Sequence, residues 1–404
     1  MRSVFSVVAM TQTPGSRRVH EIDAVRGFAL AGILVANIGF FADPRYVVIT
    51  GTMSITDGPV AWFVSTVVLT KFYILFSFLF GYSFTLMSRD GVKVKARMAR
   101  RCLGLFAIGV AHGFLLWIGD ILTLYAMLGL ILLALRGISA RRAFVVGCWI
   151  IGVMSVIWLV LAGLTLLDPA GDAMPLVDTA AGVRAEELVR SGPLGVLTFQ
   201  AETYPGLAMI VWVGQGPMAL ALFLFGMAAG KARVLEEPER WARLVPRIQW
   251  VGFGVGLPAA GFFTWAQGRG NVLELPSMAV NNVASVLLTA AYVVTFLQVI
   301  RRFPAVGRGL APAGRAAASN YIGQSVLCCL VFTGYGLALA GRLSPFAVMG
   351  VAAVIYVVLL ALSAWWLRGH RYGPVEYVLR WFTRWARPSG GIERSSRKAA
   401  AEAR

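Results

Sequence analysis

The chain is poor in charge. Charged residues make up 14% of its 404 residues, against roughly 25% in soluble domains. Acidic residues are the scarcer sign, with 19 Asp and Glu against 37 Lys and Arg. This excludes an ordinary water-soluble globule. Histidine occurs three times and cysteine four times. Cys102, Cys148, Cys328 and Cys329 all lie in apolar runs and form no CxxC pair, which excludes a disulfide framework and reads them as small apolar side chains. Soluble-enzyme signatures are missing too: no HExxH, GxSxG or Walker loop occurs, and no Cys/His cluster, so no metal site is expected. The N-terminus lacks an apolar run followed by a small-residue cleavage site. No cleaved signal peptide is expected, and residues 1–20 read as a polar cytoplasmic extension.

What the chain has is long apolar runs, with 58% hydrophobic residues. A membrane span needs about 20 such residues. The candidates are Val25–Phe41, a run within Val60–Met87, Cys102–Trp117, Ile121–Leu135, Ala143–Leu167, Leu207–Gly230, Trp250–Ala266, Val283–Ile300, Tyr321–Ala340 and Pro345–Leu367. The expected fold is therefore all-α: a polytopic integral membrane bundle of about ten transmembrane helices.

The basic residues give this bundle a direction. Arg89 to Arg101, Arg136 to Arg142, Lys231 to Arg247, Arg301 to Arg315 and the tail from Arg368 are rich in Lys and Arg. These segments alternate with loops that hold only Arg45, Arg184, Arg190, Arg269 and Arg342. The positive-inside rule then places both termini in the cytoplasm. The formal net charge of +18 is explained by this alternation and by attraction to anionic membrane lipids, without nucleic acid as a partner. The polar stretch 168–203 is expected on the outer face, with a short helix at Val183–Arg190. Tyr372–Arg387 interleaves aromatic and basic residues like a helix lying in the membrane interface. Residues 388–404 turn to Ser, Gly, Ala and charge, and read as a disordered cytoplasmic tail.

Polar residues inside apolar runs are the candidate site. His112 and Asp120 sit in the run Ala111–Tyr125, where an ionisable side chain is costly and marks function. If the chain reverses at Gly119, Asp120 faces His112, holds its tautomer and raises its basicity, as a general base requires. Asp23 and Arg26 stand three residues apart on one helical face, where they can pair. Asn37 lies eleven residues beyond Arg26, roughly 16 Å along the axis. Lys71 is either interfacial or intramembrane, and in the second case grips an anionic group. Asn320 and Gln324 are read first as helix–helix hydrogen-bonding groups. Gly252–Gly256 reads as a close-packing run in a helix, not as a phosphate loop. Leu75–Gly81 and Leu222–Gly226 are loosely alike, either as a weak internal repeat or by chance in Phe/Leu-rich helices.

Together these segments resemble the DUF418 (YeiB-like) family of bacterial inner-membrane proteins. The carrying motifs are Asp23–Ile38, Lys71–Gly81, His112–Tyr125, Ser319-Asn-Tyr-Ile-Gly-Gln-Ser325 and Tyr372-Gly-Pro-Val-Glu-Tyr-Val-Leu-Arg380. The resemblance covers most of the chain and implies one transmembrane domain over 21–387, located in the bacterial inner membrane. It adds Tyr321, Glu376 and Arg380 to Asp23, Arg26, Asn37, Lys71, Asn320 and Gln324 as substrate-binding candidates. The first-helix pattern is similar to that of transmembrane acyltransferases, which acylate sugars and related envelope molecules. That similarity implies acyl-CoA as donor, approaching near Arg26 and Lys71, and a sugar, lipid or other small molecule as acceptor. Acyltransferase-3 enzymes carry a histidine eleven residues after the arginine. Here that residue is Asn37, so the base falls to His112 with Asp120. The rival expectation is a transporter with a His112/Asp120/Lys71 path. Oligomeric state is not legible.

Overall fold

The computed structural model describes residues 14–45, 58–87, 94–167, 179–235, 237–267 and 272–384. Among these the chain is helical, without strands. Seven helices are long and apolar enough to cross a membrane: His20–Ala42, Pro59–Met87, Lys95–Leu115, Ala140–Leu167, Pro193–Lys231, Glu274–Arg302 and Pro345–Gly369. Two shorter apolar helices, Leu122–Gly137 and Ala317–Phe332, join them. A helical run from Val245 to Ala266 carries a π-turn at Gly252–Gly256. The chain is an all-α polytopic membrane protein, and each of the ten expected runs has a helical counterpart.

The helices are α1 (Pro14–Ala42), α2 (Pro59–Phe63, continuing as a π-turn Val64–Val68), α3 (Lys71–Met87), α4 (Val94–Leu115) and α5 (Leu122–Ala134). Then come α6 (Ala140–Leu167), α7 (Thr179–Arg190), α8 (Pro193–Lys231), α9 (Pro238–Trp241), α10 (Val245–Val251) and α11 (Leu257–Ala266). The last five are α12 (Glu274–Arg302), α13 (Pro304–Arg315), α14 (Ala317–Phe332), α15 (Pro345–Gly369) and α16 (Pro374–Arg384).

Helix ends sort into two groups, as the charge pattern requires. At one end Lys231 donates to the carbonyls of Arg136 (2.7 Å) and Ile138, and Arg301 pairs with Glu21 at 3.0 Å. This is the basic end. At the other, Arg45 lies 3.5 Å from Glu186, Gly341 N–H donates to Ala42 O at 2.7 Å, and Gly334 N–H donates to Val189 O at 2.7 Å. The polar stretch 168–203 is in part a helical clasp here. α7 begins a few residues earlier than expected, and 193–203 belongs to α8. At 39 residues, α8 is about 58 Å long, well beyond a hydrocarbon core of about 30 Å. The ninth expected span also changes. α14 stops at Phe332, and Thr333–Ala340 folds into turns that pack against α7. The expectations for 1–13 and 385–404 lie outside the described residues.

α3 and α8 pack on each other through their similar motifs. A Cβ on Gly81 would strike the Phe223 backbone, and one on Gly226 would strike the Phe78 carbonyl. Phe80 and Phe223 stack with centroids 4.6 Å apart. The two Phe-Leu-Phe-Gly runs thus form a reciprocal small-residue crossing, the device that lets membrane helices approach closely. Gly252 and Gly256 act likewise against α12, facing Leu287–Ala291 and Ala284, so that run packs helices as expected. α16 buries Leu379 and sets Phe382 against Gly104 of α4, leaving Tyr377 and Trp381 exposed. That is the amphipathic pattern expected of an interfacial helix.

Gly226→Leu should lower the thermal midpoint in detergent, since overpacking costs about 1–3 kcal/mol. Gly152→Ala in α6, where the added Cβ meets nothing within 4 Å, should leave the midpoint unchanged or raise it. Equal behaviour of the two variants would contradict the close crossing.

Candidate functional site

α4 ends in the apolar interior, so its last carbonyls need partners. Gln200 Nε2 donates to Leu116 O at 3.0 Å, Cys329 Sγ reaches the same oxygen at 3.1 Å, and Tyr335 OH donates to Leu115 O at 2.9 Å. The chain then reverses through Gly119–Asp120 into α5. Asp120 Oδ2 accepts from Thr123 N–H at 2.8 Å and caps the new helix. Gly109 makes room for that carboxylate: a Cβ there would lie 2.9 Å from Asp120 Oδ2.

The hairpin brings Asp120 back to His112, as expected. Asp120 Oδ1 lies 2.9 Å from His112 Nδ1, and His112 Nε2 lies 2.9 Å from Ser325 Oγ on α14. The three residues are 1%, 3% and 4% exposed. With the carboxylate as acceptor and the imidazole neutral, Nδ1 carries the proton and Nε2 accepts from the Ser325 hydroxyl. The result is a buried Ser–His–Asp relay. Ser325 was not among the expected site residues. Its signal was its place at the end of the Ser319–Ser325 motif, but a lone serine in an apolar helix has nothing else to mark it.

Beside the relay lies a cavity of about 1200 Å³. Trp117, Gly119, Ile121 and Tyr321 form its wall on that side, and Asn37, Gln215, Asn281 and Asn282 supply amide groups. Among the described residues no Asp, Glu, Lys, Arg or His lines it. The relay sits one layer behind. The Tyr321 ring covers His112 with centroids 5.1 Å apart, and its hydroxyl accepts from Ile121 N–H at 3.4 Å. Lys71 is enclosed in protein rather than interfacial, at 0% exposure. It follows a break between α2 and α3, where Thr70 adopts a φ of 69°. Its Nζ lies 3.3 Å from Ser65 O and 3.5 Å from Asn281 Oδ1, and both residues line the cavity.

The other expected residues separate from this cavity. Arg26 pairs with Asp23 at 2.7 Å and donates to Ser83 Oγ at 2.5 Å. Ser83 is twelve residues beyond Lys71 on α3, about 18 Å along the axis. A single donor contact near both Arg26 and Lys71 does not match this geometry. Asn320 bonds Ser363 Oγ at 2.8 Å and Ala316 O at 2.9 Å, and Gln324 donates to Leu30 O at 2.9 Å. Both join helices. Glu376 accepts from Ala318 N–H at 2.7 Å and Ser319 Oγ at 2.5 Å, capping α14 from α16. Arg380 lies over the Tyr372 ring at 3.9 Å.

¹⁵N-histidine spectra should show His112 as the Nδ1–H tautomer, and Asp120→Ala should abolish that preference. A wild-type Nε2–H signal would overturn the assigned relay.

A family model described as "Protein of unknown function (DUF418)" matches residues 229–386, which include the Ser319–Ser325 and Tyr372–Arg380 motifs. The uncharacterized protein YxaH of Bacillus subtilis is 28% identical, covering 92% of this chain and 96% of its own. The uncharacterized protein YeiB of Escherichia coli is 25% identical, covering 90% and 95%. An uncharacterized 39.9 kDa protein of Bacillus acidopullulyticus is 26% identical, covering 91% and 94%. These matches run nearly end to end and take in the α1, α3 and α4–α5 segments that the family model does not reach. Residues 229–386 thus match the DUF418 model, and the chain is similar to YxaH and YeiB over nearly its whole length.

Proposed function

We propose that this protein is an acyltransferase-like enzyme of the bacterial inner membrane, with its basic end in the cytoplasm. It moves an acyl group from a cytoplasmic donor, acyl-CoA, to a hydroxyl or amine of an envelope sugar or lipid. The observation that carries this reading is the Ser325–His112–Asp120 relay beside a cavity of about 1200 Å³.

Such a cavity has room for a saccharide or a lipid headgroup. Its amides offer hydrogen bonds to hydroxyls, and Trp117 and Tyr321 offer ring faces. In the reaction, Asp120 fixes the His112 ring and stabilises the imidazolium that forms. His112 Nε2 takes the acceptor's proton as the acceptor attacks the thioester carbonyl, and the proton passes to the departing thiolate. The acceptor reaches Nε2 by displacing the Ser325 hydroxyl from it and turning aside Tyr321, whose 3.4 Å bond to Ile121 is the longest polar contact around the relay. Asp23 and Arg26 belong to the basic end in this scheme. Their pair with Ser83 fixes α1 to α3 where the donor arrives.

A transporter is the second reading, favoured by the wholly buried Lys71 beside the cavity. The two readings part in the assay. In membranes given radiolabelled acetyl-CoA, His112→Ala should reduce label transfer to extracted lipid or saccharide by about 10²–10⁴-fold, the range for loss of a general base. Unchanged transfer would remove His112 from the chemistry. Uptake into proteoliposomes that ceases when the proton gradient is collapsed, with no CoA released, would select the transporter.

A further inference from the structure

Several hydrogen-bond donors at the cavity lack good partners. Lys71 carries three N–H donors, is 0% exposed, and has only the two long contacts to Ser65 O and Asn281 Oδ1. The Asn281 oxygen is shared, since it also accepts from Ser285 Oγ at 3.0 Å. No carboxylate pairs with Lys71 among the described residues. On the cavity wall nearby, Asn282 Nδ2 is buried without a partner, and so is Trp117 Nε1. Unpaired buried donors, and a buried amine with no counter-charge beside it, are each costly. They occur together around one cavity.

The backbone at this point is also unusual. Thr70 is β-branched yet sits at φ 69°, held by contacts of its hydroxyl with Leu69 O at 2.5 Å and Ser285 Oγ at 2.6 Å. β-Branched residues rarely adopt this conformation, and it is strained where it occurs. It interrupts the Pro59–Met87 span at the residue before the lysine, and places the positive end of the α3 dipole at the break.

We infer that Asn282 on the cavity wall, with Lys71 one layer behind it, forms the seat of an oxyanion, and that the ligand is the phosphate group of an anionic membrane lipid whose chains leave the cavity sideways. The phosphate supplies acceptors to the unpaired donors and the negative charge that no described residue of the wall provides. The lipid source follows from the cavity rim. Trp62, Ile210 and Trp265 line it and are 53%, 59% and 46% exposed. In a membrane bundle such side chains face hydrocarbon, so the rim suits acyl chains rather than a water-borne anion. The seat stands independently of acyl transfer and serves a transported lipid equally.

The test uses the full chain purified in a neutral detergent, with its thermal midpoint followed as phosphatidylglycerol, phosphatidylcholine or inorganic phosphate is added. Phosphatidylglycerol should raise the midpoint of the wild type and phosphatidylcholine should not. Lys71→Met and Asn282→Ala should each need at least tenfold more phosphatidylglycerol for the same rise. Without lipid, Lys71→Met should melt higher than the wild type, because a buried amine with poorly satisfied donors has gone. If Lys71→Met fails to fold, Asn282→Ala carries the test, since it removes one wall donor only. Wild-type responses in both variants, or equal responses to the two lipids, would overturn the proposal. A Lys71-dependent rise with inorganic phosphate, to which phosphatidylglycerol adds nothing, would keep the oxyanion seat and overturn the lipid.

Discussion

A polar group withdrawn from water has to be answered by another inside the protein, and in a membrane bundle no loop reaching the solvent relieves the demand. Most of this fold follows from that constraint. Where α4 stops, side chains from α8, from α14 and from the turns beyond α14 take its last carbonyls. Where α5 starts, Asp120 caps it. Where α14 starts, Glu376 arrives from α16. Each broken helix is thereby a joint that fixes two or three others. Exceptions occur in several places, among them Gln200 Oε1 and Trp212 Nε1, but Lys71, Asn282 and Trp117 stand around one cavity, which makes that cavity the place to look for a ligand.

The relay shows the same constraint serving chemistry. Asp120 uses one oxygen to start α5 and the other to hold His112. The imidazole is oriented because the hairpin is well formed, and the hairpin is well formed because the carboxylate is there. Removing the carboxylate disturbs both, so a loss of activity on substitution needs the tautomer measurement beside it to be read as chemistry.

Periodic and local features were legible in the sequence. The alternation of basic loops gave the two ends of the bundle, and the short Gly119–Asp120 turn gave the His112 pair. The interfacial helix showed in its interleaved Trp and Arg. Ser325 was not legible as a partner of His112, because 213 residues separate them and only packing brings α4 against α14. Nor could the sequence sort polar residues by duty. Asn320 and Gln324 have the same amide chemistry as Asn281 and Asn282, yet the first two tie helices and the last two face the cavity. Lys71 marked an interruption in the Val60–Met87 run, but the positive φ of Thr70 that makes the break was not legible. The likeness of Leu75–Gly81 to Leu222–Gly226 was visible, but that the two runs touch each other was not.

Glu376 gives the site a mechanical dimension. Its carboxylate fastens a surface helix to the first turn of α14, and Tyr321 and Ser325 ride on that same rod within its first nine residues. The height at which Ser325 meets His112 is therefore set jointly by this anchor and by the Gln324–Leu30 and Cys329–Leu116 contacts nearer the ring. Part of the register between hydroxyl and imidazole is thus held from the basic end.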